Sequence, residues 1–471
     1  MKPRAAPLVF ALLAGVLVAG PRAESTPRLP ISPNERYVVG FTRAARPTIA
    51  TRLLAAGIEG VAPLTTIDAA IVQAPHAVME RIAKLDGVSY VHPDGVAHLN
   101  NYQTAAQTGE GKVRAGARPL PTPLTGKGVT VAAVDSGIDT NHADLAGQVV
   151  EDLFFEAAFP LAGLADEETR DEVIRATPGA NRVATTHGLS VGGVIAGTGA
   201  MAQGGVDMRG LAPGARLVDF NTCCATLAGE QVTKQDLHGT TAILAYDYML
   251  RYQHDPKFPG GIRVASNQWG FAPDEPYPKK ALHAILRKTM AAGIAVVFSA
   301  GNYGPAENTV DYPMKAVPEI VTMGVSCPAI EGGREISGPD AKACGRGEIA
   351  DYSSRGPSVD LTAPGAGLWA PKNPSYITQD SGDLPPPQDD PAGSVWNRLW
   401  YGKFGGTSAA APYASGVVAL MLEANPKLTA PQIHRILKVT ATDYGKRGFD
   451  TTWGWGEINA YEAVKAALKL K

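Results

Sequence analysis

The 471-residue chain carries little net charge, has few cysteines and contains no apolar run long enough to cross a bilayer. Its 43 Lys plus Arg and 45 Asp plus Glu leave a formal net charge of −2. This charge gives no reason to expect nucleic acid or an anionic membrane as a partner. The four cysteines form no C-x-x-C pair, and no H-x-x-x-H spacing occurs, so a zinc site is not expected.

Residues 1–23 have the composition of a signal peptide. Lys2 and Arg4 precede the apolar run Leu8–Ala19, and a small-residue stretch ends in Ala23. A run of this length is too short to cross a bilayer. We therefore expect a secreted protein, extracellular or periplasmic, with no membrane anchor in the mature chain.

Three short segments place an acid, a base and a nucleophile in the chain order Asp, His, Ser. Asp135 lies in VAAVDSGID (131–139), His187 in THGLSVGGVIAG (186–197) and Ser408 in GGTSAAAP (405–412). A serine hydroxyl is a poor nucleophile unless a base lies within hydrogen-bond reach and a third group holds that base. Lipase-type and chymotrypsin-type enzymes place these residues in other orders, so this order indicates the subtilisin arrangement.

Two of these residues follow local patterns that suit catalysis. The apolar run Val129–Val134 predicts a buried parallel strand, at whose carboxyl end Asp135 would accept the second imidazole N–H. Ser408 precedes the helix-like run Ala409–Leu422, so it would lie at a helix N-terminus, where unpaired N–H groups favour developing negative charge. Each motif alone is commonly structural, because Asp caps turns and Ser caps helices. Their joint order and context predict catalysis.

These segments and their flanks resemble the subtilase family of serine endopeptidases. Asn302 in SAGNYG (299–304) matches the family's AAGN segment, whose Asn supplies an oxyanion-hole side chain. The resemblance implies a subtilisin-like three-layer α/β fold with a mainly parallel sheet. It also implies hydrolysis of protein or peptide substrates through an acyl-enzyme on Ser408, without a cofactor for catalysis. His142 in NHADLAG is the nearest rival base, but it matches a structural HPDL segment, so we predict a structural role.

Buried apolar strands alternate with helical stretches from residue 102 to residue 471, which predicts one large α/β peptidase domain. The strand-like runs lie at 129–134, 216–220, 262–266, 294–298 and 320–325, and the helical stretches include 188–196, 238–252 and 281–291. Two long polar insertions, 153–185 and 372–403, interrupt this pattern. Each insertion could be a lid over the site or a passive surface loop, and the sequence favours neither.

Residues 35–101 show strand-like and helical segments in βαββαβ order, which suits a small ferredoxin-like module. The segment DGVSYVHPDGVAHLN resembles the inhibitor-type propeptide of subtilases. The resemblance implies a zymogen whose own propeptide is an intramolecular inhibitor, with the tail Val96–Asn101 in the active-site cleft until self-cleavage. An ordinary N-terminal binding domain is the alternative.

The segment ASNQWGFA (265–272) aligns with the family's SLGG wall, along which extended substrate pairs as an added strand. Gln268, Trp269 and Gly270 are therefore predicted substrate-binding residues. Trp269 suits either a packing or a specificity role, and we expect apolar or aromatic residues before the scissile bond.

Four residues depart from the family pattern: Leu189, Ser190, Ala409 and Tyr413. None of them belongs to the predicted triad, but together they raise the alternative of a non-catalytic, subtilase-like binding protein.

A sedolisin-type acid peptidase is a second alternative, because that class shares the fold but uses a Glu base with an Asp oxyanion donor. His187 and Asn302 argue against that class.

The four cysteines suit disulfides in an exported protein. Cys327 and Cys344 would close an inserted loop. Cys223 and Cys224 are adjacent in the sequence. They could be free thiols, pair with distant cysteines or form a strained vicinal disulfide.

Asp144 matches the HPDL position that supplies a calcium ligand in many subtilases, although the loop 197–210 lacks the usual Asn-bearing pattern. Structural Ca2+ is therefore an open expectation.

Overall fold

The computed structural model describes residues 36–58, 60–93, 96–99, 108–159, 166–176, 186–202, 207–223, 236–327, 347–372 and 400–470, all within one compact unit. The predicted signal peptide 1–23 lies outside the described residues, as do Cys224, Cys344 and most of the insertion 372–403. Within the described ranges no helix is long and apolar enough to cross a membrane.

The described strands are β1 (Arg36–Phe41), β2 (Gly60–Leu64), β3 (Ala69–Gln73), β4 (Val88–Pro93), β5 (Val96–Leu99), β6 (Thr130–Asp135), β7 (Val149–Phe154), β8 (Arg216–Asn221), β9 (Asp236–His238), β10 (Ile262–Asn267), β11 (Trp269–Gly270), β12 (Ala295–Ser299), β13 (Val321–Ser326), β14 (Leu361–Pro364), β15 (Ala366–Pro371) and β16 (Tyr401–Gly405). The described helices are α1 (Ile49–Ala55), α2 (His76–Ile82), α3 (Glu110–Arg114), α4 (Glu167–Ala176), α5 (His187–Ala196), α6 (Gly239–Tyr252), α7 (Lys279–Ala291), α8 (Thr407–Ala424), α9 (Ala430–Thr440) and α10 (Ala460–Lys469). A 3-10 helix, Phe155–Ala158, follows β7.

Seven parallel strands form the central sheet, in the order β14-β13-β12-β10-β6-β8-β7. Five of them lie within one residue of the predicted runs, because each of those runs is apolar and almost entirely buried. The prediction missed β7 and β14, which are the two edge strands. β7 carries Glu151 and Asp152, and the short β14 ends in Pro364, so neither presents a continuous apolar run.

Helices complete the layers around this sheet. Val131 and Ala133 of β6 lie in one core cluster with residues of α5 and α8. Ala132 and Val134, which alternate with them, point to the opposite face of the sheet and are also fully buried. The helices α6 and α7 pack against each other, and α7 contacts β12. The predicted three-layer α/β fold with a mainly parallel sheet is confirmed.

The helix α8 runs through the core of the domain. Every residue from Thr407 to Leu422 is buried, and α8 contacts α5, α10 and the strands β10, β12, β13 and β14. The next helix, α9, begins at Ala430. Thr429 is its N-cap and forms a capping box with Gln432, which satisfies backbone N–H groups of the first turn.

The N-terminal module, residues 36–93, has the βαββαβ order expected from the sequence. Its four strands form an antiparallel sheet in the order β2-β3-β1-β4. Tyr37, Val39 and Phe41 of β1 pack with α1 and α2 in a core of the module's own. Arg36 and Val38, on the alternate face of β1, are buried as well. The larger domain reaches this strand, since α6 contacts β1.

The strand β5 follows the module and pairs with the larger domain. It lies between β11 and β9 in a three-stranded antiparallel sheet. Leu99 stands opposite Trp269, and His98 stands opposite Gly270. A strand of the chain itself therefore occupies the backbone edge of β11.

An ion pair between Arg36 and Glu156 joins the start of the module to the larger domain. Arg36 Nη2 lies 2.8 Å from Glu156 Oε2, and the two side chains are 5% and 13% exposed. The guanidinium also lies 3.9 Å from the centroid of the Phe159 ring. Although burial opposes ionisation, the Arg36 charge holds the pKa of the Glu156 carboxyl below its usual 4.5. Because this pKa is lowered, the pair stabilises the folded chain above about pH 4.5 and loses that effect as the pH falls through the lowered value.

We expect Arg36→Met to lower the free energy of unfolding by about 3 kcal/mol, because a buried carboxylate would lose its partner. Arg46→Met is the control: Arg46 Nε lies 2.8 Å from Asp68 Oδ1, and both side chains are over a third exposed. Its expected cost is below about 1 kcal/mol. Thermal unfolding and hydrogen exchange of the β1 amides, in a Ser408→Ala background, measure both effects. Equal losses in the two variants would contradict the expectation.

Candidate active site

Asp135 lies at the carboxyl edge of the central sheet, where β6 ends between β10 and β8. The parallel register sets Val134 beside Asn267 of β10, and Asp135 beside Asn221 of β8. The Asp135 side chain is fully buried. Its Oδ1 accepts from the backbone N–H (2.7 Å) and the hydroxyl (3.1 Å) of Ser136, and lies 2.7 Å from His187 Nδ1. These donors replace the hydration that a buried carboxylate loses.

His187 begins α5, and its ring contacts both Asp135 and Phe404. The Phe404 ring meets the imidazole edge-on, with 5.3 Å between centroids. The Gly188 backbone N–H donates to the Ser136 hydroxyl at 3.1 Å, which joins the first turn of α5 to the turn after β6. Because Nδ1–H donates to the carboxylate, Nε2 is the nitrogen that can act as a base.

Ser408 is the second residue of α8, and the first residue is tied to the loop after β12. The Asn302 side-chain oxygen accepts from the Thr407 backbone N–H and from the Thr407 hydroxyl, each at 3.0 Å. The Gly301 N–H in turn donates to the Thr407 hydroxyl at 3.2 Å. The Asn302 Nδ2 group has no hydrogen-bond partner in the part of the chain that the structure describes. It is therefore a spare donor beside a helix N-terminus.

The structure thus brings Asp135 and His187 into direct contact and sets Asn302 against the residue before Ser408. The helices α5 and α8 pack together, and His187 and Ser408 lie in the first turns of these neighbouring helices. Sequence reasoning missed Ser136 and Thr407. Each adjoins a motif residue, and a hydroxyl next to a buried polar group is the signal that could have found them.

A second buried carboxyl group, Asp219 of β8, lies near Asp135. Its Oδ2 accepts from the Ile138 backbone N–H at 2.7 Å. Burial, together with the charges of Asp152 and Asp135, raises the pKa of Asp219 well above its usual range. The raised pKa favours the neutral acid, which limits charge repulsion with Asp135.

His142 and Asp144 belong to a separate cluster with β16. His142 Nδ1 accepts from the Asp144 backbone N–H at 3.3 Å, and burial lowers the pKa of His142. Asp144 Oδ1 accepts from the Tyr401 hydroxyl (2.7 Å) and the Met201 backbone N–H (3.0 Å). The described residues include no group of three or more His, Cys, Asp or Glu side chains that could hold a metal ion. Calcium is also bound by backbone and amide oxygens, so a calcium site at Asp144 stays a prediction.

Gln268 and Trp269, two of the predicted substrate-binding residues, have interior side chains. Both are fully buried. Trp269 packs edge-on against Phe271 and Phe298, with ring centroids 6.0 and 4.8 Å away, so it is a packing residue. The strand geometry accounts for this placement, because the edge of β11 offers backbone groups at Trp269 and Gly270 while side chains stand perpendicular to the sheet.

The four departures from the family pattern are accommodated in the core. Leu189 and Ala409 lie in the main hydrophobic cluster. The Ser190 hydroxyl donates to the last carbonyl of β15 at 3.0 Å, and the Tyr413 hydroxyl donates to the glutamate that begins α3 at 3.0 Å. These contacts coexist with the hydrogen bond between Asp135 and His187.

The cysteines in the described part of the chain, Cys223 and Cys327, are both disulfide-bonded. Both are buried. Since Cys224 and Cys344 lie outside the described residues, the pairing of Cys327 with Cys344 stays a prediction.

Asp, His and Ser in this chain order, carried by a mainly parallel three-layer sheet, define the class as a serine hydrolase of the subtilisin arrangement. Comparisons with known proteins agree, since residues 126–456 match the family model described as "Subtilase family". The chain belongs to this family of serine-type endopeptidases, which need no cofactor for catalysis.

Individual relatives support the same family. Serine protease AprX of Bacillus subtilis is 30% identical over 351 residues, covering 72% of this chain and 67% of AprX. Subtilisin E of the same organism is 24% identical over 444 residues, covering 92% and 91%. The crystal structure of fervidolysin from Fervidobacterium pennivorans, a keratinolytic enzyme related to subtilisin, matches with a TM-score of 0.66 at 21% identity, covering 93% of this chain and 62% of that chain. This last likeness shows the shared fold.

We expect Gly188→Ala to move His187 away from Asp135. A Cβ atom at residue 188 would lie 2.3 Å from the Gly137 carbonyl oxygen, a backbone atom of the turn after β6. Gly192→Ala is the matched control on the same helix, because its Cβ would meet only side-chain methyl groups, the nearest at 3.1 Å. Labelling of Ser408 by a fluorophosphonate should slow on the order of 100-fold in Gly188→Ala and little in Gly192→Ala. Similar rates in both variants would argue against this contact.

Proposed function

We propose that this chain is a secreted serine endopeptidase, made as a zymogen that processes itself, and that it hydrolyses peptide bonds through an acyl-enzyme on Ser408. The observation that carries the proposal is the 2.7 Å contact between His187 Nδ1 and Asp135 Oδ1, both buried. A serine hydroxyl becomes an effective nucleophile when an oriented imidazole of this kind can take its proton.

In the first half of the reaction, the Ser408 oxygen attacks the substrate carbonyl carbon while its proton passes to His187 Nε2. Asp135 stabilises the imidazolium and keeps it oriented without taking the proton. The tetrahedral intermediate collapses, the C–N bond breaks, and His187 gives the proton to the leaving amine. In the second half, water attacks the ester with His187 again as base, which releases the acid product and restores Ser408.

Asn302 is the proposed oxyanion-hole side chain. Thr407 holds its oxygen, so Nδ2 can donate to the substrate carbonyl oxygen as negative charge develops there. Backbone N–H groups at the start of α8 are further donors, and the helix dipole favours the same charge. These groups act most strongly on the tetrahedral intermediate.

An extended peptide that pairs with the backbone of β11 is the proposed form of bound substrate. Support comes from β5, which pairs there in antiparallel register through Leu99 and His98. Proteins and peptides are substrates that can adopt this strand. The expected preference for apolar or aromatic residues before the scissile bond must come from groups other than the buried Trp269 side chain.

The module 36–93 together with β5 is the proposed propeptide, acting as an intramolecular inhibitor. Its support is the position of β5, which covers the edge of β11 that substrate would use. Cleavage is expected near Leu99–Tyr102, at the end of β5. With the signal-like segment 1–23 before it, the proposed order is signal peptide, propeptide and peptidase domain.

The full precursor is expected to cut itself near Leu99–Tyr102 and to react with a fluorophosphonate probe. Ser408→Ala should do neither while folding equally well, because only the nucleophile is lost. N-terminal sequencing, probe labelling and thermal unfolding are the measurements. A folded wild-type chain without labelling would favour the non-catalytic binding protein, and a labelled but uncut chain would refute the zymogen alone.

Asn302→Ala is expected to lower kcat on a peptide substrate by about 100- to 1000-fold with little change in KM, because the lost donor acts on charge that develops in the transition state. Asn425→Ala is the control, since that amide donates to the carbonyls of Ala467 (3.0 Å) and Leu470 (2.7 Å) at the end of α10. It should cost stability and leave kcat unchanged. A loss under about tenfold in Asn302→Ala would remove that residue from the oxyanion hole.

A further inference from the structure

We infer that Gln268 is a positioning residue of the active site, which holds the second carboxylate oxygen of Asp135 while His187 takes the first. The inference rests on the proposed catalytic triad. With its nitrogen turned toward Asp135, the Gln268 side-chain amide donates to Asp135 Oδ2 at 3.1 Å. Gln268 therefore acts on the reaction through Asp135, although its side chain is buried and does not face the edge of β11.

The other contacts of the Gln268 amide set this orientation. In it, the amide oxygen accepts from the Asn267 backbone N–H (3.2 Å) and from the Ser266 hydroxyl (2.8 Å). The reverse orientation would turn the oxygen toward a carboxylate, which offers only acceptors, and the nitrogen toward a backbone donor. Gln268 and Ser266 are both fully buried, so bulk water does not replace a missing partner.

The same hydrogen bonds continue to the helix that carries Ser408. The Ser415 hydroxyl lies 2.8 Å from the Ser266 hydroxyl and 3.0 Å from the Ala411 carbonyl oxygen, so these two acceptors share its proton. The Ser266 hydroxyl can donate to the Gln268 oxygen. Ser415 lies about two helical turns after Ser408 on the same side of α8. A buried chain of hydrogen bonds thus links the helix of the nucleophile to the carboxylate that orients the base.

Two effects on the reaction follow from this contact. A donor on Oδ2 hinders rotation of the carboxylate, so Oδ1 stays aligned with His187 Nδ1. It also disperses the negative charge of the carboxylate, which leaves less charge to favour a protonated His187. The other acidic groups near Asp135 are Asp219 of β8 and, next to it, Asp152 of β7.

Gln268→Met keeps the length of the side chain and removes the donor, and the acidic neighbours of Asp135 stay unchanged. We expect kcat about tenfold lower with unchanged KM. The acid limb of the kcat/KM profile should move up by about one pH unit, because His187 would keep its proton to a higher pH. A merely structural glutamine would lower stability without moving this limb.

Gln253→Met is the matched control. Gln253 is also a buried glutamine, but its Nε2 donates to the carbonyls of Ile262 (3.2 Å) and Ala292 (3.1 Å), at the other end of β10. It should lose stability and keep the wild-type pH profile. A shifted profile in the control as well would overturn the assignment to Gln268.

Gln268→Glu is a second variant of nearly the same shape. A protonated Glu can donate to Asp135 whereas an ionised Glu repels it, so activity should decline as the pH rises through the titration of that carboxyl. If Gln268→Met and Gln268→Glu both kept the wild-type pH profile of kcat/KM, the inference would be overturned and the proposed function would be unaffected. A folded wild-type chain without activity would refute the proposed function and the inference together.

Neutron diffraction from crystals of the Ser408→Ala chain reads the orientation of the Gln268 amide without a change at that residue. Deuterium on the atom that faces Asp135 is the expected result. Deuterium on the atom that faces Ser266 would overturn the inference, whatever the variants do.

Discussion

A fully buried carboxylate is the constraint on which this structure depends. Moving Asp135 out of water costs several kcal/mol unless donors replace its lost hydration. Its Oδ1 receives donors from Ser136 in the following turn and from His187 at the start of α5, and its Oδ2 faces the Gln268 amide beyond β10. Three separate elements must therefore reach their final positions before this carboxylate is satisfied, so formation of the site is coupled to completion of the fold.

The parallel sheet makes that convergence possible. The strands β6, β8 and β10 run side by side and end together, so side chains from their carboxyl ends and following turns meet at one edge. His187 and Ser408 lie in the first turns of α5 and α8. Helix N-termini carry unpaired N–H groups and positive dipole ends. They favour the negative charge of the carboxylate and, in the proposed reaction, that of the oxyanion.

Much of this arrangement could be predicted from the sequence, because apolar runs that end at polar residues mark both the strands and their functional ends. The predicted bounds of α5, α6 and α7 are correct to within two residues. The helix α7 buries one periodic apolar face, whereas α5 is buried along its whole length. The direction of the Gln268 side chain could not be predicted, because a motif places a residue along the chain without fixing where its side chain points. One step along a strand reverses the face, and between β10 and β11 the direction depends on contacts with Asp135, which only the tertiary structure supplies.

For the proposed propeptide, the contacts of the N-terminal module would make cleavage and release separate events. β5 occupies the edge of β11, but the module is also held by the Arg36–Glu156 pair and by the Thr66 backbone N–H, which donates to Asp247 Oδ1 at 3.1 Å. A cut after β5 breaks none of these contacts. It removes only the covalent link, and with it the high effective concentration of the module at its site. A processed enzyme would therefore stay inhibited until the module dissociates, and acid that protonates Glu156 would speed that step.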